Sequence, residues 1–193
     1  MLDNLKKYHI ILASNSPRRK ELLAGLGLEY EVKTLKDIDE TYPTDLKGME
    51  IPKYISYQKA KAYLPLIQED TLIITADTIV YLDGKVFGKP HDAEDAKMML
   101  KNLSGRTHEV ITGVTLMTKE YHKSFAVTSR VTFDYLKKDE IEYYVQNFRP
   151  FDKAGAYGIQ EWIGFIGVKS LKGSYFNVMG LPVQRLYKEL KKL

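Results

Sequence analysis

Near the amino terminus, Ser14-Asn15-Ser16-Pro17-Arg18-Arg19 sets hydroxyls beside two guanidinium groups. The segment follows an apolar run, Tyr8 to Ala13, and leads into a helix opened by proline. Free N–H groups at a helix start, with the dipole behind them, form an anion site. Arg18 and Arg19 fall in the first turn, where cations oppose that dipole, and a local rule broken in this way marks a candidate site. The same residues also fit an exposed basic first turn. The Gly-x-x-x-x-Gly-Lys pattern of a P-loop is missing.

A second candidate lies in Ile73-Ile74-Thr75-Ala76-Asp77-Thr78-Ile79-Val80. Asp77 interrupts a β-branched strand, where a carboxylate without a partner is costly. A metal ligand or general base is one reading, and a buried ion pair or strand-end turn residue is the other. Glu40 lies in the polar loop Asp37-Ile38-Asp39-Glu40, and Lys59 stands on a helix beside Ala60 and Ala62. Lys89, between Gly88 and Pro90, is held by a rigid turn. Lys153 belongs to Asp152-Lys153-Ala154-Gly155-Ala156-Tyr157-Gly158-Ile159-Gln160. Small residues there let backbone approach a ligand, and Tyr157 and Gln160 offer stacking and amide recognition. The histidines, His9, His91, His108 and His122, show no metal-ligand spacing and read as structural or surface residues.

Strands and helices must position these groups. A strand is expected at 8–13, then a helix at 17–26 with Ser16 as N-cap and Gly27 as its stop, and a strand at 29–34. Residues 36–49 read as loop, and Pro52 opens a second helix that places Ile55, Lys59 and Ala62 near one another. The segment 71–86 reads as a hairpin about Asp83-Gly84, a type I′ signal. Helices are expected at 92–103, 139–148 and 182–190, with strands at 110–117, 125–135 and 163–168. Hairpins mixed with strand–helix alternation give an α/β fold with a mixed sheet, in a single domain over 1–193.

The 193 residues are 44% hydrophobic and 28% charged, enough apolar material for a core. Absence of cysteine excludes disulfides, zinc–thiolate sites and thiol nucleophiles. Met1 to Lys7 carries no signal-peptide pattern, and no apolar run reaches the ~18 residues of a membrane span, so the cytoplasm is the expected location. The net charge of +4, from 29 basic and 25 acidic side chains, is dispersed. It suits a small polyanion as well as nucleic acid.

In order along the chain, these segments closely resemble the Maf family of nucleotide pyrophosphatases. The resemblance is carried by Ser14 to Arg19, Asp39-Glu40, Gln58-Lys59-Ala60, Ala76-Asp77-Thr78, Gly88-Lys89-Pro90, Leu103 to His108, Asp152 to Gln160, and Gly180-Leu181-Pro182. It implies a Maf/ITPase-like fold: an elongated mixed β-sheet flanked by helices, in two lobes with a central cleft. It also implies hydrolysis of a nucleoside triphosphate to the monophosphate and pyrophosphate with a divalent cation, Mg²⁺ or Mn²⁺. Arg18, Thr78 and Gln160 match the branch acting on dTTP and UTP. One departure stands out: Glu161 occupies the place where the family often has glycine after the glutamine.

By that resemblance, Asp77 is the proton acceptor, and Glu40 and Asp77 are metal ligands. Lys59 and Lys89 assist catalysis, while Ser14, Ser16, Arg18, Arg19 and Lys153 bind phosphates. Gln160 and Thr78 read the pyrimidine. A homodimer is expected, with a nucleoside triphosphate substrate, no membrane and no specific nucleic-acid partner. Two alternatives remain open at this point. One is a housecleaning enzyme for ITP and XTP, and the other is a non-catalytic regulator of cell division that grips nucleotide or nucleic acid.

Overall fold

The computed structural model describes residues 2–193. Its strands are β1 (His9–Leu12), β2 (Glu31–Val32), β3 (Thr71–Leu82), β4 (Lys85–Phe87), β5 (Thr107–Met117), β6 (His122–Phe133) and β7 (Val168–Lys172). The helices are α1 (Pro17–Ala24), α2 (Glu50–Lys61), α3 (Ala93–Leu103), α4 (Lys138–Phe148), α5 (Trp162–Gly167), α6 (Tyr175–Met179) and α7 (Val183–Leu190). The strands form one sheet in the order β2-β1-β3-β5-β6-β7, with β4 paired to β3. β1 runs parallel to β2 and β3, whereas β3–β4 and β6–β7 are antiparallel, so the sheet is mixed as expected.

β3 is buried along both faces from Thr71 to Asp77, which is why its sequence is a continuous apolar run and not an alternation. Asp83 and Gly84 then adopt φ of 51° and 77°, the left-handed pair that a type I′ turn needs. Leu82 faces Lys85 across this turn. At α1, Pro17 takes the first helical position and the Ser16 hydroxyl accepts the Arg19 N–H at 3.4 Å.

Two compact units divide the chain, with β3 passing from one to the other at the Asp77–Thr78 bond. The first contains the chain up to Asp77, with Thr112–Val127 and Gly180–Leu193. One of its apolar clusters joins Ile11, Ala60, Tyr63, Ile73 and Met117. Gly113 lets β5 lie directly against the start of α2: a Cβ there would fall 2.2 Å from the Pro52 carbonyl. The second unit, Thr78–Ile111 and Thr128–Met179, is built on Leu100, Leu103, Val131, Phe133, Tyr144 and Ile163.

The strand expected at 163–168 is instead α5. The Gly164 and Phe165 N–H groups both bond to the Glu161 carbonyl, at 2.8 and 3.3 Å. Ile163 and Gly167 are buried while Phe165 is 77% exposed, a helical spacing. A short apolar run does not distinguish a strand from a buried helical turn, and the strand starts only at Val168, the last residue of that run.

Candidate active site

In the first unit, the Lys59 ammonium meets two carboxylates: Asp77 Oδ1 at 2.8 Å and Glu40 Oε1 at 2.9 Å. Side-chain exposure is 14% for Lys59, 12% for Asp77 and 54% for Glu40. The Lys59–Asp77 pair is therefore largely withdrawn from water, and Glu40 closes it from the solvent side. The pairing follows from two periodicities. Thr75 and Asp77 share one face of β3, and Ser56 and Lys59 share one face of α2. The Thr75 hydroxyl donates to the Ser56 carbonyl at 2.7 Å, so the next pair along, Asp77 and Lys59, is brought into register. Ser56 Oγ also bonds to Thr115 Oγ1 at 3.0 Å, tying α2 to β5.

Glu40 comes from a loop with its own fastenings. The buried Tyr63 hydroxyl donates to the Lys33 carbonyl at 2.9 Å and accepts the Leu35 N–H at 3.0 Å. Leu35 and Ile38 pack on the apolar cluster around Tyr63. Asp39 Oδ1 accepts the Thr41 N–H at 2.8 Å, and that bond holds the Asp39 carboxyl below its ordinary pKa. The turn so formed brackets Glu40. Nothing in the sequence pattern singled out Tyr63 for this role.

The arginine loop is also built from its own hydroxyls. Ser14 Oγ accepts the Ser16 N–H at 3.2 Å, and Ser16 caps α1. Arg19 reaches across to backbone, with Nε donating to the Gly180 carbonyl at 2.8 Å and Nη1 to the Ala76 carbonyl at 2.9 Å. It thereby grips the peptide immediately before Asp77. Desolvation lowers the Arg19 pKa, opposed by the negative charges of Asp77 and Glu40; an arginine in such a place stays charged. Arg18 is half-buried in the same turn.

In the second unit, Thr78 is half-buried on β3 and Lys89 is exposed after β4, next to the buried Pro90. The Gly88 carbonyl accepts the Gly155 N–H at 3.0 Å, so the Lys89 turn is tied to the segment that carries Lys153. Gly155 has a φ of 68°, and a Cβ on it would meet Val80 Cγ2 at 2.7 Å. Lys153 is buried, with Nζ 2.8 Å from Asp152 Oδ1 and 3.1 Å from Glu161 Oε1. Gln160 is half-buried, and its buried Oε1 has no hydrogen-bond partner among the described residues.

Tyr157 does not offer a stacking face. It is 5% exposed, packs edge-on to Phe133 and His108, and its hydroxyl bonds to His108 Nε2 at 2.7 Å. Burial pushes the Tyr157 phenol up and the His108 imidazole down to about 4. An aromatic residue between glycines suggests ligand contact, but here core packing takes it. Glu161 and Tyr144, which the motifs did not mark as site residues, complete this segment. Tyr144 donates a short hydrogen bond to Glu161 Oε2 and accepts the Gly158 N–H at 3.0 Å.

The donor set fits a hard divalent cation. Glu40 and Asp77 converge on the Lys59 ammonium, and because among the described residues no group of three or more His, Asp or Glu gathers, a cation held there would draw only these two carboxylates from the protein. Two carboxylates, completed by phosphate oxygens and water, match the way Mg²⁺ is commonly held. With no cysteine in the chain, the set has the oxygen character that suits Mg²⁺ or Mn²⁺. Among the described residues no helix is long and apolar enough to cross a membrane.

Residues 9–193 match the family described as Maf-like protein. A dTTP/UTP pyrophosphatase of Phocaeicola vulgatus is 65% identical over 193 residues, covering 100% of both chains. The corresponding protein of Bacteroides thetaiotaomicron is 63% identical with the same coverage. That of Flavobacterium johnsoniae is 47% identical, over 99% of this chain and 98% of the other. Among solved structures, a HAM1 protein from Coxiella burnetii has a TM-score of 0.52 at 16% identity, covering 96% of this chain and 100% of that one, a likeness of fold alone.

Proposed function

Because the chain belongs to the Maf-like protein family, we propose that it hydrolyses dTTP and UTP to the monophosphate and pyrophosphate. The observation that carries this reading is the convergence of Lys59 on Asp77 and Glu40, beside an arginine loop that grips the peptide before Asp77. Relatives named dTTP/UTP pyrophosphatase, identical at 60–65% along the whole chain, support a pyrimidine substrate over ITP or XTP. The Gln160 amide carries both an acceptor and donors, which suits the imide edge that thymine and uracil share.

Asp77 accepts the proton of a water whose oxygen attacks the α-phosphorus. The bond from that phosphorus to the bridging oxygen breaks, and pyrophosphate leaves with the electron pair. Lys59 fixes the Asp77 carboxylate in position, and Arg19 fixes the backbone that carries it. Arg18, Lys89 and the Ser14–Ser16 loop oppose charge that grows on the phosphates. Glu40 and Asp77 would hold a divalent cation, which when bound supplies Lewis-acid stabilisation to triphosphate oxygens. Thr78 and Gln160 read the pyrimidine edge.

Asp77→Asn tests this directly. Pyrophosphate release from dTTP and UTP should fall by at least about a thousandfold, while nucleotide binding stays measurable. Release within a fewfold of wild type would remove Asp77 from its role. In a panel of nucleoside triphosphates, preference for ITP over dTTP and UTP would overturn the substrate assignment.

A further inference from the structure

We propose that Glu161 is a positioning residue for base recognition, bracing the Gly158–Gln160 segment through Lys153 and Tyr144. The inference rests on the dTTP/UTP reading above.

A continuous chain of hydrogen bonds passes through Glu161. The Gly158 N–H donates to Tyr144 at 3.0 Å, and the Tyr144 hydroxyl donates to Glu161 Oε2. Glu161 Oε1 lies 3.1 Å from the Lys153 ammonium, which also holds Asp152 at 2.8 Å. Tyr144 is fully buried, and the Lys153 and Glu161 side chains are only 10% and 21% exposed. These bonds are therefore little screened by water.

The same residues meet over one α-carbon. A Cβ added to Gly158 would lie 3.0 Å from both Glu161 Cδ and Lys153 Cε, and 3.1 Å from Gln160 Nε2. The ion pair and the nitrogen end of the Gln160 amide thus surround the same backbone position, so a shift of the pair changes the space in which Gly158 and the Gln160 side chain sit. Lys153 is shared between two carboxylates, so it acts here as a cross-brace more than as a phosphate cation. Glu161 is the member that joins both arms, one to the backbone through Tyr144 and one to Lys153.

The test compares wild type, Glu161→Gln, Tyr144→Phe and the double variant in steady-state hydrolysis of dTTP and UTP. Isothermal titration calorimetry in the Asp77→Asn background, where turnover is lost, reads nucleotide binding separately. Each single variant should raise KM, and that Kd, by about tenfold with kcat within about twofold. The double variant should be no worse than the larger single, because both remove one network. Unchanged KM in the singles, or multiplied effects in the double, overturns the brace. Should Glu161→Gln fail to fold, Tyr144→Phe, which loses only a hydroxyl, decides by the same tenfold criterion. A wild-type enzyme inactive on dTTP and UTP overturns the functional reading beneath the proposal, whereas an active wild type with unaffected variants overturns the role of Glu161 alone.

Discussion

His108 makes the stability of this protein sensitive to mild acid, and the size of the effect follows from its burial. The ring is 1% exposed, wedged between Phe133 and Tyr157 and bonded to the Tyr157 hydroxyl. Desolvation lowers its pKa from 6.5 to about 4. Between those values the unfolded chain takes up a proton that the folded chain refuses, so the free energy of unfolding falls as pH falls. The full loss is about 3 kcal/mol below pH 4, and about 2 kcal/mol of it is gone by pH 5. Urea unfolding of wild type and His108→Gln at pH 7.5 and pH 5 isolates this contribution, because carboxylates that titrate lower are common to both proteins. The variant starts less stable at pH 7.5, since Tyr157 loses a well-fitted partner. Its further loss down to pH 5 should be smaller than that of wild type by about 2 kcal/mol. Parallel losses in the two proteins would show that the imidazole is not held neutral by burial and refute the reasoning.

Two further outcomes concern the site. Arg19→Lys cannot span the Gly180 and Ala76 carbonyls with a single ammonium, so kcat should drop by at least about tenfold on every nucleotide tested. A change of nucleotide preference in the Arg19 variant with its rates intact would overturn this assignment. Chelation with EDTA should abolish pyrophosphate release and added Mg²⁺ restore it; full activity in chelator removes the cation from Glu40 and Asp77.

Local signals were readable wherever the chain solves a local problem. Ser16-Pro17 at the start of α1 and Asp83-Gly84 in the β3–β4 hairpin satisfy backbone requirements with residues that few other structures need. The amphipathic face of α3, with Ala96, Leu100 and Leu103 buried, was equally plain. Where local preference is neutral, tertiary contact decides. The segment around Ile163 has the composition of a strand, but Gly164 sits where a Cβ would fall 1.8 Å from the Ile159 carbonyl, a backbone approach that only glycine permits and that no local pattern reveals. Tyr157 looked like a ligand platform and is a core residue. Tyr63 and Tyr144 carry site geometry through hydroxyls whose partners lie far away in sequence, and no spacing rule links position 63 to 33 or 144 to 161.

The cations show most clearly what folding adds to composition. A sequence presents Arg18, Arg19, Lys59, Lys89 and Lys153 as equal positive charges, but a charge acts on a phosphate only to the extent that its donors are not engaged elsewhere. Lys59 is shared by two carboxylates, Lys153 by two others, and Arg19 has committed two arms to backbone carbonyls. These three are held in place before any nucleotide arrives, so their ordering cost is met during folding and they serve as rigid supports. Lys89 differs: it is exposed on a turn anchored by the Gly88–Gly155 bond and by buried Pro90, a fixed base for an amine that faces solvent. On the proposed reading, loss of a supporting cation should act on kcat at Lys59 and Arg19 and on KM at Lys153, whereas loss of Lys89 should remove a contact to the triphosphate itself. The proposed chemistry therefore divides the basic residues by what already binds them, a division that only the fold reveals.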